Sequence, residues 1–179
     1  SQNYVRVEGD RSVTLGNINT ILRDGDSLVP WEQYALALIG EVIDERPIYF
    51  SSSGNAAVSL GLTDYLVRQG LAYRLHNGPL EGDEGAEGVL RMLPSRYEAV
   101  IGQWVDMPRT HTLLTEVFVH RKGIPDEWMH WPDLATIGIP NYYAWGYLAL
   151  TQAALQTSNE DLMEQYRERA EAWSRLGTG

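Results

Sequence analysis

The C-terminal stretch from Asn141 to Trp173 constrains the fold most, because it carries two helical patterns joined by a very short turn. Asn141 to Gln156 is Ala-rich, with small residues at Ala144, Gly146, Ala149, Ala153 and Ala154. Ser158 is placed to cap a second helix, with Asp161 at the capping-box position. In that helix Leu162, Tyr166, Ala170 and Trp173 fall on one face, and the other face is Glu, Arg and Gln. A tight connection makes the two helices antiparallel neighbours, and the small residues let the backbones approach closely. This predicts a helical hairpin of tetratricopeptide-like logic. A single copy does not make a solenoid, because repeats need neighbours to bury their faces.

Upstream the pattern changes. Tyr4–Val7 and Val13–Leu15 alternate like short strands, and residues 23–27 form a turn cluster. Pro30 suits a first helical position, and apolar residues at 31, 34, 35, 38, 39, 42 and 43 predict an amphipathic helix over 31–44. Ile48-Tyr49-Phe50 reads as a buried strand. Thr63 is expected to cap a short helix through Val67 that closes at Gly70, and Leu71–Leu75 reads as the next strand. Helix, strand, helix, strand suggests an α/β unit with the two strands parallel. Helical pieces are expected near 95–105 and 109–121, and 123–140 reads as a structured loop. The expected class is α+β: a small sheet with packed helices, then a C-terminal antiparallel helical hairpin. The divisions are 1–122 for the α/β portion and 123–179 for the loop and hairpin, packed as one unit.

Composition narrows the function. The chain has 179 residues, 24 acidic against 14 basic, for a net charge of −10. That charge repels phosphate backbones, so no nucleic-acid partner is expected. The absence of cysteine removes disulfides, thiolate zinc ligands and thiol nucleophiles. No apolar run reaches the roughly 18–20 residues that span a bilayer. Six Trp and ten Tyr stand against two Phe, a bias toward aromatics that suit interfaces and sugar platforms as well as half-wet cores.

Candidate chemistry is thin. Asp24-Gly25-Asp26 has a metal-chelating spacing, but it is also an ordinary turn. The acidic, Gly-rich loop 77–88 lacks the ligand order of a calcium loop and reads as a solvated loop. Glu116/His120 and Asp126/His130 are each four apart, yet no His-Glu-x-x-His motif exists, so no metal and no cofactor are expected. Ser51, Ser52, Ser53 and Asn55 follow a strand, where hydroxyls and N–H groups are placed to hold an anion or a sugar hydroxyl. No Gly-x-Ser-x-Gly elbow makes one of them a nucleophile. Trp128, Trp131, Tyr142, Tyr143 and Trp145 cluster within 18 residues, either as a ligand platform or as packing of the loop onto the hairpin. Arg46 and Arg74 each flank a strand, placed to meet a carboxylate or an anionic ligand; an ion pair tethering the strand ends is the ordinary reading.

Two motifs point further. Arg46-Pro47-Ile48-Tyr49-Phe50 and Gly61-Leu62-x-Asp64-Tyr65-Leu66-Val67-x-x-Gly70-Leu71-Ala72-Tyr73-Arg74-Leu75 resemble the soluble C-terminal region of large bacterial membrane proteins. These are the protein O-mannosyltransferase-like members of glycosyltransferase family 117, in the GT-C superfamily. Gly138–Ala144, followed by two helices, is similar to that region's helical tail. The resemblance covers roughly residues 20–176. It implies transfer of a sugar from a lipid-phosphate donor by the parent. The acidic catalytic loop and the membrane helices of such enzymes have no counterpart in this sequence, so no catalytic residue carries over.

The resulting expectation is a non-catalytic extracytoplasmic domain, periplasmic or at the cell surface, part of or processed from a membrane protein. Its partners would be the parent membrane domain and a glycan or polypeptide acceptor. The alternatives are a free-standing secreted interaction or assembly module, with self-association, and a small hydrolase or metal enzyme using the histidines and acids.

Overall fold

The computed structural model describes residues 12–15, 18–21, 29–51, 56–78, 80, 87–98, 102–118, 120, 123–128 and 130–177. The sequence-predicted strand at Tyr4–Val7, the turn 23–27 and most of the acidic loop lie outside them.

Strands β1 (Ser12–Leu15) and β2 (Ile18–Ile21) form an antiparallel hairpin. Helix α1 (Pro30–Val42) starts as the sequence predicts: Pro30 has no N–H to lose in the first turn, and the Glu32 carboxylate accepts a 2.8 Å bond from the Val29 N–H. The main sheet is built from β3 (Tyr49–Ser51), β4 (Leu66–Gln69), β5 (Ala72–Leu75), β6 (Val89–Arg91) and β7 (Trp104–Asp106). Its order is β3-β5-β4-β7-β6, with β4 and β7 parallel and every other pair antiparallel. A short α2 (Ala56–Ser59) and a 3₁₀ turn (Thr63–Tyr65) link β3 to β4. Helix α3 (Met107–Thr112) runs into a π-helical turn at Leu113–Val117. Helices α4 (Gly138–Gln156) and α5 (Glu160–Gly177) are the predicted C-terminal hairpin. The class is therefore α+β.

Four sequence expectations are corrected. The strands at 48–50 and 71–75 are neighbours, but antiparallel: Phe50 faces Tyr73. The cause is the segment between them. Residues 66–69 form the central strand instead of a helix, and β4 and β5 then close through a two-residue turn, Gly70-Leu71. All four residues of β4 are buried, so the strand lacks the alternation that would have revealed it. Strand β7 occupies the end of the segment expected to be helical at 95–105. The hairpin's first helix begins at Gly138, because Pro140 is tolerated in a first turn. The cap of α5 is Asn159, whose side-chain oxygen accepts from the Leu162 N–H at 3.2 Å. Ser158 is taken up in ending α4, in a left-handed conformation (φ 55°), while the Asn159 N–H reaches back to the Ala154 carbonyl.

The strand register assigns the faces. Leu66, Arg68, Tyr73, Leu75 and Val105 point to one side of the sheet. There Leu66 and Leu75 pack with Leu36 and Ile39 of α1, and Val105 packs with Ala149 and Ala153 of α4. Both helical groups thus cover the same face. On the other face Val67, Val89 and Trp104 form a small cluster under Leu80. A polar ladder crosses that face: the Tyr49 hydroxyl donates to Gln69 Oε1 and Gln69 Nε2 donates to Asp106, both at 2.9 Å. Asp106 in turn caps α3 by accepting from the Arg109 N–H.

The hairpin closes as expected. Leu162, Tyr166, Ala170 and Trp173 pack inward with Ala144, Tyr147 and Ala154 of α4, and Tyr143 stacks on Trp173 at 4.2 Å.

Gly70 is where the layers meet. Its φ is +63°, the glycine-favouring first position of a tight hairpin turn. A Cβ there would lie 3.0 Å from the Phe118 ring and 3.1 Å from Leu113. Gly70→Ala is expected to destabilise the protein by about 1–3 kcal/mol, combining left-handed strain with the close contact. A urea-unfolding midpoint that does not fall would contradict this account.

Candidate functional site

Two grooves on the described surface gather polar and charged side chains from several elements. The first, about 610 Å³, lies where the end of α1 meets the end of β5. Arg46, Arg74, His76 and Asn77 line it, together with the carboxylates of Asp44 and Glu45. Pro47 ends the α1 connection and starts β3, which pairs with β5, so Arg46 and Arg74 arrive at one end of the sheet. Both arginines are exposed, and among the described residues neither forms an ion pair. Asn77 donates to the Asp44 carboxylate and holds the rim together. Desolvation of the His76 ring, and after it the charge of Arg74, lowers that histidine below its ordinary value. The groove thus offers two guanidinium groups and a histidine that resists protonation.

The second groove, about 630 Å³, lies between the α3–π-turn segment and α5. Helix α3 supplies His111 and the π turn supplies Leu114 and Thr115; Tyr147 comes from α4, and Gln165, Tyr166 and Arg169 come from α5. The Tyr166 hydroxyl sits 2.9 Å from His111 Nδ1. The Tyr147 hydroxyl donates to the Leu114 carbonyl at 3.1 Å. Arg169 Nη1 donates to both carboxylate oxygens of Asp126, at 2.9 and 2.8 Å. Burial raises the phenol pKa values of Tyr147 and Tyr166, so both remain protonated hydrogen-bonding groups at neutral pH. Among the described residues no three His, Asp or Glu side chains gather as a metal site.

The remaining sequence-predicted residues disperse. Ser51 ends β3, opposite Ala72. Ser52, Ser53 and Asn55 lie outside the described residues. The aromatic group divides in three. Trp128 and Trp131 pair at 5.7 Å, and the Trp131 indole donates to Thr136. Tyr142 and Trp145 meet edge to face at 5.4 Å. Tyr143 is built into the hairpin against Trp173, His120 and Phe118. Tyr143 and Trp131 both pack against the hairpin core while half-buried, Tyr142 and Trp145 are half-buried as well, and Trp128 is exposed.

The second groove escaped sequence reasoning. Its partners are 33 to 55 positions apart, and Tyr166 reads as one more residue of an apolar stripe. His111 has no spacing partner in the sequence; only the fold supplies one.

Known protein families, curated proteins and solved structures were compared with the chain, and none matches it. No helix among the described residues is long and apolar enough to cross a membrane.

The first groove makes a titration prediction. His76 is expected to titrate below the ordinary histidine value of about 6.5, and Arg74→Gln to raise its midpoint only part of the way back, because desolvation is the larger cause. A folded-state pKa below the unfolded one means that stability is full above about pH 6.5 and declines as the pH falls through the folded value. NMR titration of the imidazole resonances checks the midpoint and its shift.

Proposed function

We propose that this chain is a non-catalytic extracytoplasmic domain of a GT-C-type membrane glycosyltransferase, serving recognition of an acceptor or partner. The observation that carries the reading is the role of the two family-like segments in the fold. Tyr65, Leu66, Val67 and Leu75 are buried, Gly70 makes the obligatory turn, and Arg46 and Arg74 arrive together at one groove. The resembling residues are thus those that build a β3-β5-β4 scaffold and leave its grooves to bind. In the second groove Thr115 Oγ1 donates to the His111 carbonyl and the Tyr166 hydroxyl is held against His111 Nδ1 at 2.9 Å, so these polar groups are fixed in position for hydrogen bonding. Recognition is the role such a surface fits.

One observation favours a second reading, a self-associating or assembly module. Val29, just before α1, and Trp31, Tyr34 and Leu38 within it are all exposed, between 43% and 54%, the last three at i, i+3, i+7 spacing on one helix face. Light scattering separates the two: a strict monomer over a wide concentration range counts against self-association.

The glycosyltransferase reading predicts that the reading frame upstream of Ser1 encodes several apolar spans of bilayer length. A frame with only a short leader there would overturn it.

A further inference from the structure

We propose that the groove between the α3–π-turn segment and α5 binds a neutral, polyhydroxylated ring, the chemistry of a sugar residue. The argument starts from charge. One cation, Arg169, faces two carboxylates, Asp126 and Glu168, and Arg169 is already bonded to Asp126. An anionic ligand would therefore meet no positive excess, and a cationic one would find a single carboxylate, Glu168, beyond the Arg169–Asp126 pair. An apolar ligand would take water from the Arg169–Asp126 pair and from Glu168 without replacing its hydrogen bonds.

What remains is hydrogen-bonding capacity held in place. Both Arg169–Asp126 bonds come from a single guanidinium nitrogen. The second nitrogen's N–H groups and the carboxylate's further lone pairs are left to serve two neighbouring hydroxyls of one ligand. Thr115 Oγ1 donates to the His111 carbonyl at 2.8 Å, which leaves its oxygen as an acceptor. His111 and Tyr166 orient one another, so their outer polar atoms are fixed before any ligand arrives. Phe118 supplies an apolar wall for the C–H face of a ring. The π turn carries Leu114 and Thr115 into the groove, and such turns recur at functional sites. The volume of about 630 Å³ lies within the ordinary range for small-ligand pockets.

The inference does not depend on a membrane parent, so its test and that of the upstream spans fail separately. The full chain is titrated by calorimetry and saturation-transfer NMR with the methyl glycosides of glucose, mannose and galactose. Inorganic phosphate, acetate and an unstructured serine-rich peptide serve as comparison probes. At least one glycoside is expected to bind saturably, and Asp126→Asn and Thr115→Val to weaken it by about tenfold or more. Gln165→Ala, an exposed position on α5, is the variant least able to disturb folding and is expected to weaken binding as well. Unchanged thermal unfolding identifies the variants that remain folded. The proposal is overturned if no glycoside binds, if binding survives all three substitutions, or if phosphate, acetate or the peptide is taken in preference.

Discussion

The fold depends on one buried cation. Arg68 sits in the middle of central strand β4 with no solvent exposure. Desolvation lowers its pKa, and the groups around it must offset that cost. It donates to the Gly70 carbonyl at 3.1 Å and to the Tyr73 hydroxyl, and its guanidinium lies 4.5 Å from the Tyr73 ring centre. The same turn is gripped from the other side by buried Thr110. Its hydroxyl accepts from the Gly70 N–H at 3.1 Å and donates to the Arg68 carbonyl at 3.3 Å. Arg68 and Thr110 thus fix the β4–β5 turn to α3, so the sheet and the helical layer share one register.

That register determines both grooves. Helix α4 passes over the turn because residue 146 is glycine: a Cβ there would lie 2.9 Å from Leu114 and 3.4 Å from the Gly70 carbonyl. With the backbones so close, the Tyr147 hydroxyl reaches the Leu114 carbonyl of the π turn. Helix α3 then presents His111, and the π turn Thr115, beside α5. At the opposite end of β5, the short two-residue turn sets how far the strand runs, and Arg74 comes to face Tyr49 across the ladder and Arg46 across the groove. Removing the Gly70 geometry would therefore disturb two binding surfaces with no other direct link.

The helical hairpin, α1 and the strands around 49–50 and 72–75 were legible because each carries a pattern of its own: a 3.6 period or a short apolar run bounded by breakers. Strand β4 was not, because burial on both faces erases the alternation that marks a strand. The direction of β5 followed that error, since a helix before it implies a crossover and a strand before it implies a hairpin. At the site, Arg46 was legible as a charge ahead of a strand, whereas Arg74 lies within β5 and neither arginine forms the strand-end ion pair expected of it among the described residues. The pairing of His111 with Tyr166 was not legible, because 55 residues separate them and each is unremarkable alone. Aromatic clustering in sequence misled in part: Tyr143 is one residue from Tyr142, but the helix turns it about 100° away and into the hairpin core.

The net charge of −10 bears differently on charged and on neutral ligands. An anion approaching Arg46 and Arg74 must cross a field that repels it before two guanidinium groups at close range attract it. Screening weakens the long-range repulsion more than the contact, so the overall field hinders rather than steers such a ligand at low salt. A neutral ring feels neither force. The second groove sets Arg169 against Asp126 and Glu168, so its charge adds little attraction for an anion, and selection of a neutral ring there would fall to hydrogen-bond geometry. Recognition of a neutral ring in that groove would thus be less altered by the acidic field than recognition of an anion between Arg46 and Arg74.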